Sequence, residues 1–167
     1  MQHINFTTGI NQITMQREKH FINSIYYQLE QTAKYCKYLG NQLFERLNLP
    51  IPLDEFVILD TIFVNGEICQ RDLAKLILKD RPSTGRLLNS LEEKGLIKRF
   101  ADTKNNRLVK KTKLTAKGQK LLTQITAVLK DYFASLPGML TGEKVQELKI
   151  RIQEFREGLE KEVEMKI

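Results

Sequence analysis

From about Glu18 to Leu47, the apolar residues Phe21, Ile25, Leu29, Ala33, Cys36, Leu39, Leu43 and Leu47 recur at intervals of three and four. That period draws one apolar stripe along a long amphipathic helix, which the breaker Asn48-Leu49-Pro50-Ile51-Pro52 ends. Asp54 can cap a second helix with Phe56, Val57, Leu59, Ile62 and Phe63 as its buried stripe and Asn65-Gly66 as its stop. A short helix fits Gln70 to Leu78, with Leu73, Ala74, Ile77 and Leu78 facing inward. Arg81-Pro82 opens another. Proline suits the first helical turn, Asp80 can accept from the free amides there, and Gly95 supplies a left-handed terminus.

Two extended runs, 96–100 and 108–114, flank the polar segment Asp102-Thr103-Lys104-Asn105-Asn106 and predict a hairpin. Thr115 caps a long helix whose apolar face is Leu121, Leu122, Ile125, Val128, Leu129, Tyr132, Phe133 and Leu136. Leu136-Pro137-Gly138 breaks it, and Thr141 opens a last helix. The expected fold is mainly α, with about six helices plus a β-hairpin wing. A winged helix-turn-helix over 53–118 lies between helical regions 1–47 and 119–167, all one intertwined domain. A terminal helix with a stripe as narrow as Val145, Leu148, Ile152, Phe155 and Leu159 tends to seek another helix. We therefore expect a homodimer through these residues with Phe21 and Ile25 of the first helix, the alternative being packing within one chain.

Charge singles out one region. The net +7 of the 167 residues is unevenly spread: residues 1–70 balance at −2, 71–120 at +10 and 121–167 at −1. A block of that sign inside a folded region marks a surface for polyphosphate, so double-stranded DNA is the expected partner. The helix opening at Arg81 is sized for the major groove, and a hairpin after it can reach an adjacent groove or backbone. Its free amides and dipole suit a phosphate, Ser83 and Thr84 can hydrogen-bond, Gly85 permits close approach, and Arg86 can pair with guanine. The expected DNA-contacting set is Gln70, Arg71, Arg81, Ser83, Thr84, Arg86, Asn89, Lys104, Asn105 and Arg107. Bracing of the wing by an Arg86–Asp102 pair is the other role open to Arg86. Lys110, Lys111 and Lys113 can also serve simply as a solvated strand edge.

The runs Asp72-Leu73-Ala74-Lys75, Asp80 to Leu88, Leu91 to Arg99 and Leu114-Thr115-Ala116-Lys117-Gly118 together resemble the multiple-antibiotic-resistance regulator (MarR) family. That resemblance implies a cytoplasmic homodimer on roughly palindromic DNA, often a repressor released by a small-molecule effector or an oxidant. The wing departs from the family pattern Asp-Pro-x-Asp-Arg-Arg, reading Asp102-Thr103-Lys104-Asn105-Asn106-Arg107. Counted forward, Arg107 takes the last arginine position. Counted back from Leu114-Thr115, that position falls on Leu108, which predicts one extra residue and a bulge near Lys110-Lys111. The other reading of the same elements is a winged-helix protein-contact module without DNA binding, against which the basic block argues.

Other chemistry is sparse. Cys36 and Cys69 are far apart and remote from His3 and His20, so neither a disulfide framework nor a zinc site is expected, and no cofactor. Cys36 reads as a small buried hydrophobe and Cys69 as a thiol at a helix start. Tyr26, Tyr27, Tyr35 and Tyr38 can fill core and interface or line an effector pocket. No nucleophile–base set, carboxylate motif or phosphate-cradling loop suggests an enzyme. No apolar run spans a bilayer and the first residues lack signal-peptide character, so no membrane association and a cytoplasmic location are expected.

Overall fold

A computed structural model describes residues 20–104, 107–135 and 142–162. The chain forms two compact units, residues 1–53 and 54–167. Six α-helices and a three-stranded antiparallel sheet occur among the described residues.

In the first unit a 3-10 turn, Phe21–Asn23, leads into helix α1 (Ile25–Arg46). The helix therefore starts later than the periodicity suggests, and Glu18 lies outside the described residues. Ser24 sets the start: its hydroxyl donates to the Phe21 carbonyl at 2.6 Å and accepts the Tyr27 N–H at 3.3 Å. At the other end Asn48 takes a left-handed conformation, and the Leu49 N–H returns to the Phe44 carbonyl. Phe44 is buried, but Phe21, Ile25, Tyr26, Tyr35, Tyr38 and Leu39 are exposed in the single chain. Cys36 is exposed as well, which corrects its reading as a buried hydrophobe.

The second unit opens with α2 (Leu53–Asn65). It buries Glu55, Ile58, Leu59 and Ile62, whereas Val57 and Phe63, expected inside, are exposed. Asp54 sits within the first turn instead of capping it, and its carboxylate takes the Lys79 ammonium at 3.0 Å. Strand β1 (Ile68–Cys69) is too short for periodicity to detect. Helix α3 (Gln70–Leu76) ends before Leu78, which adopts a left-handed φ of 52° and is exposed, contrary to its inward assignment. The Lys79 N–H closes the turn on the Ala74 carbonyl.

Helix α4 (Arg81–Glu93) begins as expected, with the Asp80 carboxylate accepting the Ser83 N–H at 2.7 Å. Gly95 ends the segment with φ +69°. Strands β2 (Ile97–Lys104) and β3 (Arg107–Leu114) form the wing, in the sheet order β1-β3-β2. Their register runs unbroken from Ile97 opposite Leu114 to Lys104 opposite Arg107. The bulge expected near Lys110-Lys111 does not form, and the strands absorb Asp102 and Thr103. Helices α5 (Ala116–Ser135) and α6 (Gly142–Glu162) follow; the expected break at Leu136-Pro137-Gly138 and the start at Thr141 lie outside the described residues. The core of this unit comprises Ile58, Leu59, Ile62, Leu73, Ala74, Leu88, Leu91, Leu96, Ile97, Leu122 and Ile125. No helix among the described residues is long and apolar enough to cross a membrane.

One junction joins α4, the wing and α5. The Leu96 carbonyl accepts the Thr115 N–H at 3.1 Å, and the Thr115 hydroxyl donates to the Gly95 carbonyl at 2.7 Å. The same hydroxyl accepts the Gly118 N–H at 3.0 Å and so caps α5. A Cβ at Gly118 would lie 2.0 Å from the Leu96 carbonyl oxygen, so only glycine lets the helix start this close. Gly118→Ala should therefore destabilise the protein by about 3 kcal/mol, at the upper end for overpacking. Leu78→Gly should do the opposite. It relieves about 1–2 kcal/mol of left-handed strain against about 0.5–1 kcal/mol of added chain entropy. Urea unfolding of both variants checks the two signs.

Candidate nucleic-acid interface

Helix α4 divides into two faces. Thr84 and Leu88 are fully buried, as is Leu91, so this stripe anchors the helix to the core. Pro82, Arg86, Asn89 and Glu93 recur on the opposite face, and all are exposed. Thr84, expected to contact DNA, is thereby excluded: its hydroxyl donates to the Asp80 carbonyl at 2.9 Å from within the core. A threonine one residue after a serine carries no local signal of which way it turns; only the position of the apolar stripe decides.

The outward groups at the helix start are held in relation to one another. The Arg86 guanidinium donates to the Ser83 hydroxyl oxygen at 2.8 Å. This replaces the Arg86–Asp102 brace considered as an alternative, because Asp102 instead holds the Lys111 ammonium. The Ser83 backbone N–H draws the Asp80 carboxyl below the usual carboxylate range, with Arg86 adding a smaller pull. Gln70 is half exposed, and its side-chain amide donates to the Arg81 carbonyl at 2.8 Å. Arg71 is exposed and lies 3.4 Å from Asp72. Arg81 and Asn89 point to solvent.

Behind the helix, a set of ion pairs fixes the wing. Glu92 of α4 accepts from the Arg99 guanidinium at one oxygen and from the Arg99 backbone N–H at the other. The guanidinium draws the Glu92 carboxyl below its ordinary range. Lys111 does the same to Asp102, and the reciprocal contact raises the ammonium of Lys111. Lys113 reaches Glu67 at 3.2 Å and lies 4.8 Å over the Phe100 ring. Glu55, buried beneath the C-terminal end of α4, accepts from Ser90 and from Lys94. None of these bracing residues is among the expected site residues. They are spread over four elements, and only Glu92 and Arg99, flanking the Gly95 turn, are near enough in sequence to suggest a pair.

Chain order, face division and wing can be set beside known proteins. Residues 51–109 match the model of the MarR family. Solved structures share the architecture: a MarR-family transcriptional regulator from Silicibacter pomeroyi DSS is 25% identical with a TM-score of 0.68, covering 82% of this chain and 90% of that one. An S. aureus MepR–DNA complex is 23% identical with a TM-score of 0.63, covering 84% and 99%. A mutant E. coli MarR complexed with operator DNA is 23% identical with a TM-score of 0.66, covering 82% and 99%.

Within the winged helix-turn-helix the basic block splits into two populations. Arg71, Lys79, Lys94, Arg99, Lys111 and Lys113 pair with carboxylates of the same chain. Lys75, Arg81, Arg86, Lys98, Lys110, Lys117 and Lys120 form no ion pair among the described residues. The backbones of Lys104 and Arg107 face each other at the turn end of the hairpin, and Asn105 lies outside the described residues. No group of histidine, cysteine, aspartate and glutamate suited to a metal occurs among the described residues.

Asp80, Glu92 and Asp102 are all held below their unfolded values, so their contribution to stability is present at neutral pH. It should fade as pH falls below about 4, where the folded-state carboxyls protonate. Carboxyl-detected NMR titration should place all three under the other surface carboxylates, and Arg99→Ala should return Glu92 toward the ordinary range.

Proposed function

We propose that the chain is a cytoplasmic, sequence-specific DNA-binding transcriptional regulator that acts as a homodimer. The observation that carries this reading is the outward face of α4. Arg81, Ser83, Arg86 and Asn89 stand at the solvent side of a helix whose other face is buried, and neither arginine has a carboxylate partner among the described residues. The guanidinium donors that Ser83 does not use are open to an outside ligand. Guanine edges and phosphates match them in geometry and sign. Lys104 and Arg107 at the wing tip, with Arg71 at the start of α3, are the proposed flanking contacts, together with Asn105 of the segment between the two strands.

Dimerisation is supported by the apolar side chains left at the surface of each unit. Phe21 and Ile25 are 68% and 49% exposed, and on α6 Leu148 and Ile152 are 48% and 38% exposed. Val145, Phe155 and Leu159 on the same stripe are half-buried. Such stripes call for burial against a second copy. A two-fold dimer presents two copies of α4 and therefore reads a roughly palindromic operator. Repression, and release by a small-molecule effector, complete the reading on the family resemblance.

Binding should weaken by on the order of 10³-fold between about 50 and about 200 mM salt if six or more phosphates are neutralised. Fluorescence anisotropy with fragments selected from a genomic pool tests this, and equal affinity for selected and bulk DNA would sink the proposal. Arg86→Ala should lose roughly 1–3 kcal/mol of discrimination against the wrong base. Site selection repeated with that variant should lose its preference at one position in each half-site.

A further inference from the structure

Gln70 and Gly85 meet across the turn of the helix-turn-helix. Gln70 is the first residue of α3 and Gly85 lies in the second turn of α4. The Gln70 Nε2 donates to the Arg81 carbonyl at 2.8 Å, and an ideal Cβ on Gly85 would stand 3.0 Å from that same nitrogen. Glycine is a poor helix-interior residue on propensity. Here its backbone needs no special conformation either, since only Gly66 and Gly95 take positive φ among the described glycines. What it supplies is space, and the space is filled by the Gln70 amide.

We propose that Gln70 and Gly85 form a positioning lock for the reading end of α4. The amide grips the carbonyl of the first residue of α4, from which Arg81, Ser83 and Arg86 project. Gln70 is thus a specificity-determining positioning residue and not a phosphate contact. This inference rests on the DNA-binding reading above for its consequence, and on the side-chain geometry alone for the lock itself.

The test uses the full chain with Gln70→Ala, Gly85→Ala and the double variant. Kd is measured for a genomic fragment selected by the wild type and for a shuffled fragment of the same composition. Each single variant should cut the ratio of the two affinities about tenfold, within the range of one lost base contact. The double variant should be no worse than either single. A fall in affinity for both fragments alike after Gln70→Ala would instead mark a backbone contact and overturn the proposal. So would losses that multiply in the double variant.

Thermal unfolding of the same four proteins decides the lock without DNA. Gly85→Ala should raise Tm by roughly 2–4 °C in the Gln70→Ala background, where the helix-propensity gain is unopposed. With Gln70 present the rise should be smaller or absent, because the new methyl displaces the amide. Equal shifts in both backgrounds would overturn the lock. A wild type with no preference between the fragments overturns the DNA-binding reading instead, and the thermal cycle still decides for or against the lock.

Discussion

The Leu96 carbonyl is the point on which the winged helix-turn-helix turns. It accepts the Thr115 N–H, and Gly118 passes within a distance that excludes any Cβ. Three elements therefore share one small contact: the end of α4, the start of β2 and the first turn of α5. The N–H groups of Gly95 and Leu96 take the Glu92 and Leu91 carbonyls, and Lys117 reaches back to the Lys94 carbonyl, so these C-terminal carbonyls of α4 are met. A short helix cannot hold a fixed orientation through propensity alone. Here α4 is held at its C-terminal end by this junction, along its length by Leu88 and Leu91, and at its start by Asp80 and Gln70. The reading face is what remains.

Most of this architecture is legible in the residues, for reasons that differ by element. Caps and stops follow local backbone chemistry, so Asp80, Gly66, Gly95 and Thr115 can be placed without tertiary knowledge. Stripes are less secure. In α2 the buried set is 55, 58, 59 and 62, and the expected set strays from it at Val57 and Phe63 because the helix is apolar nearly all round. A buried glutamate has no local signal either, since Glu55 is tolerated only because Ser90 and Lys94, far along the chain, supply donors. In the wing, counting misleads. Aligning it from both ends suggests an extra residue, whereas the strands simply pair further toward the tip than an Asp-rich segment implies.

Residues of the reading end show the same division. Charged and capping groups are found by type, and Arg81, Arg86 and Asn89 do stand outward. Thr84 departs from expectation, and Gln70 has a second role beside the expected one, because a polar side chain in such a segment can satisfy either an external ligand or its own backbone. Thr84 turns inward onto the Asp80 carbonyl, and Gln70 turns onto the carbonyl of Arg81. Gly85 is a place of close approach, as expected, but the approaching group belongs to the neighbouring helix.

This changes what a local charge of +10 means. Five of its cations are engaged by carboxylates that hold the wing and the helix-turn-helix in place, including Glu92–Arg99 and Asp102–Lys111. Surface pairs of this kind contribute little stability singly, but several on one short sheet fix the direction of the strands. Neutralising them would alter wing geometry before it altered charge at the reading face. On the DNA-binding proposal, the long-range field that draws a polyanion depends on the whole block, whereas contact falls to cations not committed to bracing. Attraction and recognition then divide between different residues of one basic region. A substitution at Arg99 or Lys111 should therefore not be interpreted as the loss of a DNA contact.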